Sequence, residues 1–185
     1  MIEVNDESGF EPAVDTAEIS QLATWVLREM RVHPQADLNV VLVDEQSMAD
    51  LHVKWLDLEG PTDVMSFPMD ELRPAPPGAE PQEGILGDIV VCPAVAARQA
   101  REAGHATMEE ILLLVTHGIL HLLGYDHAES DERKEMFDLQ RHLLLAFLAR
   151  TPNNPNRHEA NNQPQTIDEV APVISRFSCD DAPSD

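Results

Sequence analysis

The sequence predicts a small α/β or α+β domain. Three observations support this class: strand-like and helix-like segments alternate along residues 1–150, one helix is apolar almost all round, and 43% of the 185 residues are hydrophobic. A chain of this size can bury a core that needs no disulfide or metal to hold it together. After Arg150 the composition shifts to Asn, Pro, Gln and Asp, which predicts an acidic, disordered tail over residues 151–185.

Short strands and amphipathic helices alternate in the first part of the domain. Hydrophobic periodicity, β-branched runs and Pro or Gly punctuation place each boundary. A proline-containing loop, long for a compact domain, separates the last two strands. The predicted elements are a strand at 2–4, a helix at 15–32, a strand at 38–43, a helix at 46–55, extended segments at 62–68 and 87–92, and a helix from Pro93 to before Gly104.

The most apolar helix follows at 108–123 and ends at Gly124. Thr107 with Glu110 three residues later predicts a capping box at its start. Because the segment has almost no polar face, this helix should be central and surrounded by other elements. A last amphipathic helix is predicted at 130–149.

Charge and cysteine content exclude several functional classes. The chain carries 34 Asp and Glu against 12 Lys and Arg, a net charge of −22, and −18 remains without the tail. Long, sequence-independent binding to duplex nucleic acid needs a basic surface, so we expect none. The longest aliphatic run, 111–115, is too short to span a bilayer, and Cys92 and Cys179 form no disulfide framework. We therefore expect a cytoplasmic protein with no membrane partner.

Three histidines form the strongest candidate site. His117 and His121 are four residues apart in the apolar helix, so both imidazoles project from one face. Gly124 lets the chain turn back, and His127 follows. Without a metal, several buried ring nitrogens would lack partners, at about 1–3 kcal/mol each. The three residues are therefore predicted to bind one Zn²⁺ whose fourth position is left to water, as in catalytic zinc sites.

The same spacing matches the metal skeleton of many zinc proteases, with one difference. Those enzymes place Glu after the first His as a proton shuttle, and this chain has Gly118. Peptide hydrolysis depends on that shuttle, whereas a metal can promote phosphodiester hydrolysis by neutralising phosphoryl charge and activating water. A phosphodiesterase is favoured over a metallopeptidase. Gly118 itself allows either tight packing against a strand or room for a substrate.

Residues His117 to His127, with the sequence HGILHLLGYDH, resemble the signature of the YbeY endoribonuclease family of ribosomal RNA maturation factors. Two further blocks, 62–68 and 86–90, agree in order and spacing, and the resemblance covers roughly residues 38–148. It implies a zinc-dependent, single-strand-specific endoribonuclease domain over residues 1–150, acting in small-subunit ribosomal RNA maturation and ribosome quality control. The implied partners are single-stranded RNA, ribosomal RNA, and the ribosome or ribosomal proteins.

The resemblance also implies an α+β fold in which a central metal-bearing helix packs with a small mixed β-sheet and flanking helices. The rival interpretation is a non-catalytic ribosome assembly factor with structural zinc. A three-ligand site argues against it, since structural zinc normally has four protein ligands.

Two positions depart from the family pattern. The family commonly has Asn and, after an aromatic residue, an Arg thought to serve the active site; this chain has His52 and, after Trp55, Leu56. Lys54 or Arg73 could supply the missing cation, or both could be solvated surface charges. The sequence does not indicate which residue is the general base.

Several polar residues have two interpretations. Asp126 either fixes the tautomer of a ligand ring or caps a turn. Asp63, Ser66 and Asp88 either line the cleft or form turns at strand ends. The remaining histidines lack ligand spacing and are predicted not to bind metal: His33, His52, His105, His142 and His158.

Overall fold

The structure is a computed structural model that describes residues 1–56 and 62–150. The predicted disordered tail at 151–185, with His158 and Cys179, lies outside the described residues. The described elements are β1 (Ile2–Asp6), α1 (Thr16–Glu29), β2 (Asp37–Leu42), α2 (Glu45–Leu56), β3 (Val64–Pro68), β4 (Ile85–Val91), α3 (Pro93–Ala103), α4 (Thr107–Leu122) and α5 (Ser130–Arg150).

The four strands form one mixed sheet, as predicted, and their order is β1-β2-β4-β3. β1 and β4 run parallel to β2, and β3 runs antiparallel to β4. Along β2, Leu38, Val40 and Leu42 are buried and alternate with less buried residues, as expected when a strand presents one face to the main core. The α+β prediction is confirmed.

Helix α4 occupies the centre of the main core, as its apolar composition predicts. Every residue from Glu110 to Leu120 is buried, and α1, α3, α5, β3 and β4 contact the helix. A smaller cluster on the other side of the sheet joins Met48 of α2 and Val95 of α3 to Met65 and Val90. Replacing one fully buried core Leu by Ala would cost about 2–5 kcal/mol, so this apolar packing contributes strongly to the stability of the fold.

Most helix boundaries follow the predicted signals, but the capping box at Thr107 is wrong. Asp15 caps α1 by accepting a hydrogen bond from the Glu18 backbone N–H at 3.0 Å. α4 begins at Thr107 without a side-chain cap. Glu110, only 1% exposed, instead lies 2.5 Å from Nε2 of His105, because a buried carboxylate needs a polar partner. Within the described ranges, no helix combines the length and apolar character needed to cross a bilayer.

Candidate metal centre

The three predicted ligands converge in the structure. His117, His121 and His127 each offer a ring nitrogen, and these atoms all lie within 4.8 Å of one another. The ring centroids are 4.5 Å apart for His117 and His121, 5.0 Å for His121 and His127, and 5.7 Å for His117 and His127. No Cys, Asp or Glu in the described part of the chain joins this group. The donor set is therefore three imidazoles.

The end of α4 brings the third histidine back to the other two. Gly124 has φ +94°, a left-handed conformation that favours glycine. Its N–H donates to the His121 carbonyl and the Tyr125 N–H donates to the Leu120 carbonyl, both at 3.0 Å. This pair of bonds is a Schellman motif, which ends the helix and reverses the chain. The prediction that Gly124 ends the helix and lets the chain turn back is therefore confirmed.

Hydrogen bonds from neighbouring side chains hold the turn that carries His127. The Asp126 carboxylate accepts a bond from the His127 backbone N–H at 2.7 Å, so this residue caps the turn. Arg133 of α5 donates from Nε to the His127 carbonyl at 3.3 Å. The turn is thus tied to the last helix, a contact that sequence spacing did not indicate.

Gln140 orients the first of the two helix histidines. Nδ1 of His117 donates to Oε1 of Gln140 at 2.8 Å, and the two residues are 3% and 1% exposed. This bond keeps the ring proton on Nδ1 and leaves Nε2 as the nitrogen with a lone pair for a metal. Gln140 was missed by the sequence analysis because it lies on another helix, 23 residues away.

Burial keeps the helix histidines neutral. Desolvation, with a smaller contribution from the neighbouring charge of His121, lowers the pKa of His117 to about 3. Desolvation and the proximity of His127 also lower the pKa of His121. Phe137 stacks near His117 and His127, with ring centroids 6.3 Å from each. Neutral imidazole is the form that binds a metal, so the residues present fit a metal ion.

Gly118 is a packing position. A Cβ built there would lie 3.0 and 3.1 Å from two side-chain carbons of Ile89 and 3.1 Å from Oγ of Ser66. The Ser66 hydroxyl also donates to the Gly118 carbonyl at 3.3 Å. Of the two interpretations of this glycine, the structure supports close approach of α4 to the sheet.

The histidines open onto a cleft of about 660 Å³. Asp63 and Ser66 line it, as do Trp55, Leu56 and Phe67. Asp63 also forms a turn, since its carboxylate accepts a bond from the Val64 N–H at 2.8 Å, and burial raises its pKa. Asp88 lies elsewhere, in a separate cavity beside β1 and β2.

The other described histidines lie outside the group of three converging rings. His33 lies 3.5 Å from a carboxylate oxygen of Glu83, and His105 pairs with Glu110. Neither these two nor His52 and His142 join the three converging rings.

Comparison with known proteins agrees with this geometry. A model of the family described as "Endoribonuclease YbeY" matches residues 3–148. The chain belongs to the endoribonuclease YbeY family. Curated relatives named Endoribonuclease YbeY include one from Kineococcus radiotolerans, 63% identical over 158 residues, covering 83% of this chain and 91% of the relative. Another, from Thermobifida fusca, is 62% identical over 146 residues, covering 79% and 93%.

A solved structure extends the YbeY comparison to the fold. The solution structure of TM1509 from Thermotoga maritima matches with a TM-score of 0.62 at 28% identity. The match covers 89% of this chain and 100% of that chain. The arrangement of helices around a small mixed sheet is therefore shared with a protein whose structure was determined by experiment.

Proposed function

We propose that this chain is a zinc-dependent endoribonuclease that cuts unpaired RNA in small-subunit ribosomal RNA maturation and ribosome quality control. His117, His121 and His127 are its ligands for one Zn²⁺. The observation that carries the proposal is the convergence of three imidazoles, two of them with lowered pKa values, on the wall of an open cleft. Membership of the YbeY family supports RNA as the substrate.

The chemistry divides between the ion and the chain. When bound, zinc supplies a Lewis acid that neutralises charge on a phosphodiester and activates water. The chain keeps the ligand rings neutral by burial and fixes the orientation of His117 through Gln140. A cleft of about 660 Å³ is in the size range of small-ligand sites, so it suits an unpaired nucleotide better than a duplex.

The crowding at Gly118 argues against a metallopeptidase. A side chain there would meet Ile89 and Ser66 at its first carbon, at 3.0–3.1 Å, so a carboxylate shuttle would require these neighbours to move. The three-histidine donor set likewise favours catalysis over purely structural zinc, which usually has four protein ligands.

We assign the catalytic domain to residues 1–150 and an acidic tail to residues 151–185. The partners in this proposal are single-stranded RNA, ribosomal RNA and the ribosome or its proteins, and the compartment is the cytoplasm. The unpaired, buried thiol of Cys92 is compatible with a reducing compartment.

Cleavage of a labelled oligoribonucleotide by the zinc-loaded full chain tests the proposal. Wild-type protein should bind one zinc and cut a single strand but not the matching duplex. His121→Gln should lose both zinc and cleavage, whereas His33→Gln, outside the metal group, should retain both. Wild-type protein that carries one zinc per chain and leaves the single strand intact would refute the nuclease function.

Chelation separates the catalytic role from the structural one. Since apolar packing holds α4 in place, we expect the circular dichroism spectrum to survive zinc removal while cleavage stops. Unfolding on chelation would instead support the non-catalytic assembly factor.

A further inference from the structure

The cleft lacks the basic residues that usually hold a nucleic acid. No Lys or Arg of the described residues lines it. Several described cations are engaged elsewhere: Arg98 pairs with Glu45, and Lys134 lies 3.5 Å from a carboxylate oxygen of Asp138. Arg73 packs over Gly124 and donates to the Leu72 carbonyl, outside the cleft lining. An RNA strand must therefore gain much of its affinity from contacts other than phosphate pairing.

An exposed aromatic residue forms one wall of the cleft. Trp55, at the end of α2, is 58% exposed although Trp is among the more buried residue types. Its ring lies 5.8 Å from the ring of Phe67, centroid to centroid, at an interplanar angle of 66°. Both rings line the same cleft as the three histidines. The edge-to-face contact fixes the indole beside the metal centre while most of it stays accessible.

The Lys54 ammonium group lies over the Trp55 ring. Nζ of Lys54 lies 5.2 Å from the Trp55 ring centroid, within the range of a cation–π contact. The preceding residue, Val53, is also exposed but is not part of the cleft lining. The cleft edge therefore pairs a flat π surface with one positive charge, the two features that bind single-stranded nucleic acids without duplex geometry.

We infer that Trp55 and Lys54 form a nucleotide-binding subsite. The indole stacks on an unpaired base next to the scissile phosphodiester, and the Lys54 ammonium pairs with a flanking phosphate. This inference rests on the proposed endoribonuclease function and adds how the substrate is recognised. Stacking demands a base that is free of its duplex partner, so the subsite selects single strands.

Steady-state kinetics of the zinc-loaded full chain on a short single-stranded oligoribonucleotide test the subsite. Trp55→Ala should raise KM about ten- to a hundredfold with kcat changed less than about threefold, because the lost stacking contact contributes to binding. Trp55→Phe, which keeps a π surface, should recover most of the affinity. Lys54→Met should raise KM by a smaller factor, and the matched control Val53→Ala should leave both constants unchanged.

Fluorescence gives a readout independent of cleavage. The chain has two tryptophans, so Trp25→Phe leaves Trp55 as the sole reporter. In a stopped-flow experiment, binding of the single strand should quench the Trp55 emission before cleavage occurs. The matching duplex should not quench it.

The outcomes distinguish failure of the proposed subsite from failure of the proposed endoribonuclease function. If wild-type protein cuts RNA but Trp55→Ala keeps the wild-type KM and no quenching occurs, the subsite is wrong and the exposed ring serves a protein contact instead. If wild-type protein cuts no RNA, the proposed function itself fails.

Discussion

Replacing Gln140 by Leu should weaken zinc binding about ten- to a hundredfold while the protein stays folded. In wild-type protein the Nδ1–H of His117 donates to Oε1 of Gln140 at 2.8 Å, and both groups are buried. In the metal-free variant the ring proton of His117 can move to Nε2, so that Nδ1 is no longer a buried donor without a partner. Metal binding requires the proton back on Nδ1, where it then lacks a partner, at a cost of about 1–3 kcal/mol.

The metal-free fold should tolerate this change. Nε2 of Gln140 is buried without a hydrogen-bond partner among the described residues, so Leu also removes an unsatisfied donor. We therefore expect the free energy of unfolding of the metal-free variant to lie within about 1 kcal/mol of the wild-type value. Removing the unsatisfied amide donor and losing the hydrogen bond to His117 have opposite effects.

Competition with a chromophoric zinc chelator at pH 7.5 measures the zinc affinity of each variant. Thermal unfolding of the metal-free proteins checks that each variant is folded. Gln140→Glu retains an acceptor for Nδ1 and should hold zinc more tightly than Gln140→Leu. The matched control is Gln99→Leu, since Gln99 donates to Asp63 and not to a ligand ring. Wild-type zinc affinity in Gln140→Leu would show that this hydrogen bond does not orient the ligand.

Three other properties should follow from the same site. In the metal-free protein the pKa of His117, about 3, lies below the ordinary 6.5. As the pH is lowered below 6.5, the unfolded chain takes up a proton that the folded chain does not, so the free energy of unfolding decreases. Relative to His117→Gln, wild type should lose about 1 kcal/mol of unfolding free energy between pH 6 and pH 5 in urea titrations; a constant difference would contradict the burial argument. Gly118→Ala should destabilise the protein by about 1–2 kcal/mol in the same assay, because crowding against Ile89 and Ser66 exceeds the gain in helix propensity. The same change should cost less in an Ile89→Val background, which lacks the Ile89 carbon at 3.1 Å. RNA affinity should depend weakly on salt, with a logarithmic slope between about −0.7 and −2 set mainly by Lys54; a slope steeper than about −3 would reveal phosphate contacts elsewhere.

Local spacing predicted the convergence of the three histidines because their geometry is mostly local. Two histidines one helical turn apart share a face wherever the helix lies, and a glycine at the helix end signals the reversal that returns His127. The apolar circumference of α4 likewise predicted its central place, since a helix without a polar face must be surrounded.

The residues that support the ligands depend on contacts between distant segments. Gln140 falls in the buried stripe of α5 beside Met136 and Leu143, and that position was the available signal: an amide in an apolar stripe needs a partner. The partner itself could not be identified without the packing of α5 on α4. The capping box failed for a different, local reason: Glu110 pairs with His105, five residues away, instead of closing the motif at Thr107.

The three candidate ligands come from two kinds of local structure, a helix and a turn. His117 and His121 sit on the most deeply enclosed helix, whereas His127 sits on a short turn held by Asp126 and Arg133. A bound ion would fasten that turn to the helix as a cross-link does. Digestion by a protease near residues 125–129 should therefore report metal occupancy, with the chain cut faster in the metal-free protein than in the loaded one.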